Sequence, residues 1–121
     1  MSQETLFDAN GTPIAYIDYD DEQTIYSFSG KPLAYIEDDH IYGFNGKHLG
    51  WFEDGVLWEH SGLKAGFIQA TSPTFVKFEP FKGFKQFKPF KGFKSFAPFK
   101  PFKKTGHIAG SLEAWLENGR A

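Results

Sequence analysis

The strongest hydrophobic pattern in this chain is a phenylalanine at every third position in a low-complexity stretch of its second half. Most of these phenylalanines are followed by lysine, and the position before each is mostly Pro, Gly, Gln or Ser. We call residues 75–104 the tail. Its ten regularly spaced rings are the predicted packing and interaction residues: Phe75, Phe78, Phe81, Phe84, Phe87, Phe90, Phe93, Phe96, Phe99 and Phe102.

A strict period of three restricts the backbone conformation of the tail. In an α-helix a step of three residues turns by about 300°, so the ten rings would spread around the whole cylinder. Four prolines in the tail also oppose a continuous helix and a central strand. Polyproline II has three residues per turn, needs no internal hydrogen bonds and accommodates proline, so the tail is predicted to adopt it.

A straight tail of this kind is too long for one small domain to cover. At about 3.1 Å per residue it would extend roughly 85 Å, whereas a domain of this length has a radius of gyration of about 14 Å. An exposed edge of ten rings would also exceed the apolar patches of soluble monomers. The tail therefore bends around its own domain, bundles with other subunits or lies on a membrane. A nine-residue repeat that restarts at Pro80, Pro89 and Pro98 fits regular bends.

Residues 6–68 contain a second repeat, in which short apolar runs alternate with turn residues. Each repeat has a β-type run, then Asn-Gly or Ser-Gly, then an aliphatic–small–aromatic triplet such as Ile14-Ala15-Tyr16. Asn-Gly between apolar runs favours a type I′ hairpin turn, with positive φ at both central residues. Four β-hairpins are predicted, joined by acidic turns near residues 18–23, 37–39 and 54–55. The glycines at the predicted hairpin turns are Gly11, Gly30, Gly46 and Gly62.

Four hairpins predict an all-β fold, as a flat meander, a closed small barrel or a pseudo-fourfold rosette. A single hairpin is not stable in water, so the hairpins must share a buried face. The small residue of each triplet favours closure, because another backbone approaches closely at such positions. These small residues are Ala15, Ala34, Gly50 and Gly66.

The chain changes character again after the tail. Ser111 is a good N-cap for a short helix over Leu112–Asn118, with Gly119 directly after it. A helix this short is marginal alone, so it is predicted to dock on the β domain. The predicted organisation is an acidic four-hairpin β domain in 1–74, the basic tail in 75–104, and a linker with a short helix in 105–121.

The repeat and the tail together resemble a known family, the 4-fold β-flower proteins, which are small bacterial domains of hairpin petals. The resemblance is carried by Tyr42-Gly43-Phe44-Asn45-Gly46-Lys47-His48-Leu49-Gly50-Trp51, by the Asp54-Gly55 turn and by the triplet tail. Family tails more often have Leu or Ile in the triplets, so the all-Phe tail departs from that pattern. The resemblance implies a fold. It brings no established activity and no catalytic residues.

Charge is unevenly distributed along the chain. Residues 1–74 carry twelve acids and three lysines, a net charge of −9, whereas the tail carries nine lysines and Glu79, a net charge of +8. The remaining residues contribute −1, which gives the overall −2. A basic segment next to an acidic body is typical of nucleic-acid or membrane binding. Here the nearest opposite charge is the body itself, so pairing within or between subunits is predicted.

Residue types that carry out chemistry are sparse and show no motif spacing. The absence of cysteine excludes disulfides and thiolate nucleophiles, and no serine lies in a Gly-x-Ser-x-Gly context. The histidines are interpreted as turn or surface residues rather than metal ligands. No catalytic, cofactor-binding or metal-binding residue is therefore predicted. The four histidines are His40, His48, His60 and His107.

Two functions from different classes remain. The first is a non-enzymatic structural or interaction module, a homo-oligomer whose tail packs on β domains in cis or in trans. The alternative is peripheral binding to anionic membranes through the tail, although the acidic body opposes it. Arg120 is the sole arginine, which disfavours nucleic acid as a partner. Without a signal-peptide pattern, a long apolar run or cysteine, the protein is expected in the cytoplasm.

Overall fold

Each glycine-centred repeat forms one β-hairpin, and the four hairpins join edge to edge into a closed antiparallel barrel. This computed structural model describes residues 2–119. The flat meander is thereby excluded, and the predicted all-β four-hairpin fold is confirmed. The strands are β1 Gln3–Phe7, β2 Pro13–Asp18, β3 Thr24–Ser27, β4 Pro32–Glu37, β5 His40–Gly43, β6 His48–Glu53, β7 Val56–Glu59 and β8 Lys64–Phe67.

The barrel closes where its first strand meets its last. Register pairs run along every sequential strand contact, but β1 and β8 share only the pair Phe7↔Phe67 among the described residues. A 3₁₀ turn, Gln69–Thr71, follows β8 and packs beside β1. The chain therefore leaves the barrel at its seam, next to the first hairpin, and the tail starts there.

The glycine turns differ from the predicted type I′ geometry. In the first hairpin Asp8 N–H donates to Thr12 O at 3.0 Å and Gly11 N–H donates to Asp8 O at 3.0 Å, which closes a three-residue loop. Gly11 has φ of +77°, whereas Asn10 is not among the residues with positive φ. This is the G1-bulge arrangement, and the same bonds recur in the other three hairpins. The glycine positions were thus predicted correctly and the turn type was wrong.

The acidic turns between hairpins have the geometry that was expected of the glycine turns. Asp38 and Asp39 have φ of +53° and +67° and lie between the paired residues Glu37 and His40. The Asp54-Gly55 pair likewise has positive φ at both residues. Two-residue connections with this backbone match the natural twist of antiparallel strands. The last three hairpins are therefore joined by tight two-residue turns that present carboxylates, whereas a longer acidic loop over residues 19–23 joins the first two.

Alternation along the strands fills the barrel with aliphatic side chains. The inward-facing set has at most 5% exposure, and its cluster also includes Leu112 and Leu116 from α1, Leu112–Glu117. A Cβ at Gly66 would lie 2.7 Å from Leu57 Cδ1 and 3.0 Å from Leu112 Cδ1, so this small residue leaves room for a core leucine of β7 and for the helix. The helix is where the sequence placed it. Ser111 Oγ accepts from Ala114 N–H at 3.0 Å, as predicted for an N-cap.

Aromatic residues at the alternate strand positions form separate clusters outside that aliphatic core. Tyr16, Tyr26 and Phe28 make one cluster, with ring centroids 5.6 to 5.8 Å apart for the contacts of Tyr16. Tyr35, Tyr42 and Phe44 make an equivalent cluster one hairpin further on. A third contains Trp51, Val56, Trp58 and Phe67. These clusters are buried although they lie outside the aliphatic core, so another part of the chain must cover them.

Candidate functional site

The tail covers the aromatic clusters by running from one hairpin turn to the next. No residue of 75–104 is in a helix or strand, and the tail has backbone hydrogen bonds to the barrel at nine-residue intervals. The polyproline II conformation of the tail and the three predicted domain boundaries stay predictions. The ends of the first and last predicted segments, position 1 and positions 120–121, lie outside the described residues. The four equivalent bonds are Lys77 N–H to Gly11 O at 2.9 Å, Gln86 N–H to Gly30 O at 2.9 Å, Ser95 N–H to Gly46 O at 2.8 Å and Lys104 N–H to Gly62 O at 2.9 Å.

The turn glycines also allow the tail to approach. A Cβ added at Gly46 would overlap the carbonyl oxygen of Phe93, and one added at Gly30 would overlap that of Phe84. Gly11 and Gly62 meet the tail in the same way. Each glycine therefore has two reasons to be there, because its φ is positive and because a backbone passes directly over it. Of the three arrangements considered for the tail from the sequence, the structure has the one in which the tail bends around its own domain.

Six of the nine lysines of the tail pair with carboxylates of the barrel domain. Lys85 pairs with Asp18, the last residue of β2, and Lys94 pairs nine positions later with Glu37, the last residue of β4. After another nine positions, Lys103 lies 3.1 Å from Glu53, the last residue of β6. The predicted pairing of the basic tail with the acidic body thus occurs within one chain.

The same lysines lie over the aromatic clusters. Lys82 Nζ lies 5.0 Å from the ring centroid of Tyr16, and Lys91 Nζ lies 4.4 Å from that of Tyr35. Lys103 lies 5.0 Å from the ring of Trp58. An ammonium over an aromatic face is attracted by the ring quadrupole, and its stem covers apolar surface. Lysine, rather than phenylalanine, is therefore the residue that seals the outer face of the barrel.

The ten phenylalanine rings of the tail, which we call the phenylalanine belt, are directed away from the barrel. Their exposed fractions lie between 95% and 101%, and no stacking contact between them occurs among residues 2–119. The tail lies on its own barrel through its backbone and its lysines, but its rings do not pack there. The physical reason is that lysines already occupy the outer face of the barrel. Packing of the belt on another copy stays a prediction.

Three of the histidines form a hydrogen-bonded chain beneath the tail. His48 is 3% exposed, and its Nε2 lies 2.9 Å from His40 Nδ1 while its Nδ1 lies 2.9 Å from His60 Nε2. The backbone N–H of His48 donates to Ser95 Oγ at 3.0 Å, which ties the chain to the tail. The interpretation of all histidines as turn or surface residues is therefore wrong for His48. Burial was not visible in the sequence because His48 begins a strand directly after a polar turn.

Burial lowers the pKa of His48 to about 4, with smaller contributions from the neighbouring rings of His60 and His40. Burial also lowers the pKa of His60. A neutral imidazole offers one donor and one acceptor, so a chain of neutral rings can satisfy both contacts of His48. Across residues 2–119 there is no group of three or more His, Asp or Glu side chains arranged to hold a metal ion. The arrangement is thus a hydrogen-bonded support beneath the tail.

The pKa shifts of the carboxylates under the tail favour their charged form, whereas the shift of His48 favours its neutral form. A hydrogen bond from Lys88 lowers the pKa of Asp21, and one from Lys100 lowers the pKa of Glu53. The hydrogen bond that Lys85 donates to Asp18 raises the pKa of Lys85. Each shift favours the charged form of a paired group. At neutral pH the tail is therefore held by ion pairs, while His48 and His60 beneath it stay uncharged.

A comparison with protein families gives one match. The model described as "4-fold beta flower protein" matches residues 4–116, which include the barrel, the tail and most of the helix. No curated protein and no solved structure matches the chain significantly. Among the described residues, no helix has both the length and the apolar character needed to cross a membrane.

Proposed function

This chain belongs to the 4-fold β-flower protein family, and from the surface that its fold exposes we propose that it is a non-enzymatic interaction module that self-assembles. The contact surface is the phenylalanine belt. The family has no known catalytic role. A cytoplasmic location is part of the proposal and rests on the absence of cysteine.

The exposure of the ten rings is the observation that carries the proposal. Burying a phenylalanine removes about 150–250 Å² from water, so the belt offers on the order of 1,500–2,500 Å². The largest apolar patch of a typical monomer is about 300–600 Å². A standard protein interface buries about 800 Å² on each partner. The belt therefore has the area of an interface rather than that of an ordinary surface.

The contacts of the tail lysines within the chain favour an apolar partner for the belt over a charged one. Most of these lysines have ion pairs or cation–π contacts within the chain, for example the ion pairs of Lys88 with Asp21 at 2.7 Å and with Glu22 at 3.0 Å. Recruiting them to anionic headgroups or phosphates would require breaking these pairs. Burial of the rings requires no such loss, and each buried ring contributes about 2–3 kcal/mol. This argument favours assembly with protein over the electrostatic membrane alternative.

The test is the mass of the full chain in solution across a concentration series. The wild-type protein is expected to form oligomers, and replacing Phe87, Phe90 and Phe93 together with Ser is expected to shift it to the monomer. The matched control replaces the same three residues with Leu, which keeps apolar side chains and is expected to keep the assembly. Circular dichroism of all three proteins checks that the barrel is intact.

Two outcomes contradict the proposal. One is a wild-type chain that stays monomeric at every concentration, and the other is a Ser variant that assembles as the wild type does. A monomer that binds anionic vesicles, and loses that binding in the Ser variant, would establish the membrane alternative instead.

A further inference from the structure

We propose that the phenylalanine belt of one copy packs against the belt of a second copy, with the rings of the two belts interdigitated. The inference rests on the proposed function, self-assembly, and adds the surface that the belt recognises. The partner is thus a second copy of this chain, contacted through its tail rather than through its barrel.

The first argument is that the belt has one apolar complement on another copy. Among residues 2–119, the large hydrophobic side chains that are exposed are the ten belt phenylalanines and no others. The aliphatic core is inside the barrel, and α1 fills its remaining space with Leu112 and Leu116. A ring that leaves water therefore finds apolar surface of comparable extent only on another belt.

The second argument is that the barrel's outer aromatic residues are already covered. Tyr16 and Tyr35 are each 1% exposed, and Trp58 is 8% exposed. The lysines above them belong to the same chain, which places a charged layer between these rings and any neighbour. A partner's phenylalanine on this face would have to displace a lysine from both a carboxylate and an aromatic ring.

The third argument is the spacing of the rings. In an extended chain that rises about 3.1 Å per residue, side chains three positions apart are separated by about 9 Å. A ring inserted midway would lie about 4.6 Å from each neighbour in a straight segment and farther where the tail bends around the barrel, and aromatic pairs favour about 4.5–7 Å. The belt rings do not stack on each other in the described chain, so the gaps between them are open to a partner's rings.

The fourth argument concerns charge. Two basic tails would repel each other if their ammonium groups faced one another. In this fold seven of the nine tail lysines form ion pairs within the chain, as Lys85 does with Asp18 and Lys94 with Glu37. Two belts can therefore approach along their uncharged edges. A contact of one surface with itself is isologous, which is the usual contact of a symmetric dimer.

The experiment places a photo-crosslinking residue in the full chain. Phe90→p-benzoylphenylalanine puts the probe in the belt, and Glu113→p-benzoylphenylalanine puts it on the exposed face of α1 as a control. After irradiation of the assembled protein, mass spectrometry identifies the crosslinked peptides. The belt probe is expected to crosslink one tail to another. The α1 probe is expected to give a yield of crosslinked dimer that is lower by roughly tenfold or more.

The outcomes separate this inference from the proposed function. Crosslinks from the belt probe to barrel strands of another copy would overturn belt-to-belt packing and leave self-assembly standing. An absence of intermolecular crosslinks, together with a monomeric mass, would overturn both. A second variant, Phe87→Ser with Phe93→Ser, flanks the probe and is expected to reduce tail-to-tail crosslinks. Unchanged crosslinks in that variant would contradict interdigitation.

Discussion

The barrel and the tail use apolar side chains in opposite ways. In the barrel, a period of two turns aliphatic residues toward their own chain, and Leu6, Ile17 and Leu57 are fully buried. In the tail, a period of three turns lysine toward the same chain and leaves phenylalanine outside. A periodic pattern thus identifies which residues share a face. Which of these faces packs against the rest of the chain depends on the side chains that the neighbouring element presents to it.

The barrel offers the tail two features that favour lysine. Carboxylates stand at the ends of β2, β4 and β6, and aromatic rings line the outer face between hairpins. Phenylalanine could cover the rings but would leave the carboxylates without partners and partly desolvated, which costs free energy. Lysine covers rings with its stem and reaches carboxylates with its ammonium group. The outer face of the barrel therefore selects lysine.

The largest expected effect contrasts an apolar residue of helix α1, which packs in the barrel core, with an apolar residue of the tail. Leu116→Ala removes a fully buried side chain and is expected to destabilise the monomer by about 2–5 kcal/mol. Phe90→Ala removes a larger side chain that contacts water and is expected to change monomer stability by less than about 0.5 kcal/mol. Chemical unfolding at low protein concentration measures both. Equal losses of stability would show that the belt is buried within the single chain.

The next effect tests how closely the two regions approach each other. Gly46→Ala requires positive φ at a non-glycine residue and overlaps the Phe93 carbonyl, so a loss of about 2–4 kcal/mol is expected. Gly110→Ala is the matched control, because a side chain there would meet nothing within 4 Å. Limited proteolysis should also cut the tail faster in the Gly46 variant. Similar melting temperatures for the two variants would contradict the close approach.

The smallest effect concerns pH at the place where barrel and tail meet. The pKa of His48 lies at about 4 in the folded chain and near 6.5 when unfolded. Between those values the unfolded chain binds a proton that the folded chain does not, so stability falls as the pH falls through this window. The loss is expected to reach about 2 kcal/mol by pH 5.

His48→Gln provides the control for that effect. Stability of the wild type and of this variant, measured by chemical unfolding from pH 7 to pH 4, should diverge in slope between pH 6.5 and pH 4. The paired carboxylates act in a lower window, because hydrogen bonds from lysine lower their pKa values and their stabilisation is lost only as the pH falls from the ordinary carboxyl pKa toward those lowered values. Parallel pH profiles would show that His48 does not titrate across this range.

The sequence predicted the parts of the fold that local patterns specify. The Gly11, Gly30, Gly46 and Gly62 spacing was sufficient for four hairpins, and Ser111 was sufficient for the start of the helix. The turn type was missed because a G1 bulge and a type I′ turn both need glycine at positive φ, and the preceding residue decides between them.

The candidate site was harder to predict because it depends on register between distant segments. The nine-residue repeat of the tail was visible in the sequence. That each nine-residue unit reaches from one hairpin turn to the next depends on the distance between turns in the folded barrel. The burial of His48 likewise depends on Ser95, which is 47 positions away in the sequence. The outward orientation of the belt depends on the carboxylates at strand ends, which a view of the tail alone does not include.

The nine-residue interval between hydrogen bonds links the length of the tail to the number of hairpins. Removing three residues from the middle of the tail would keep a phenylalanine at every third position. It would nevertheless move each later lysine away from its carboxylate and each later backbone donor away from its glycine. Length changes that this fold tolerates are therefore whole units of nine residues, each gained or lost together with one hairpin of the barrel.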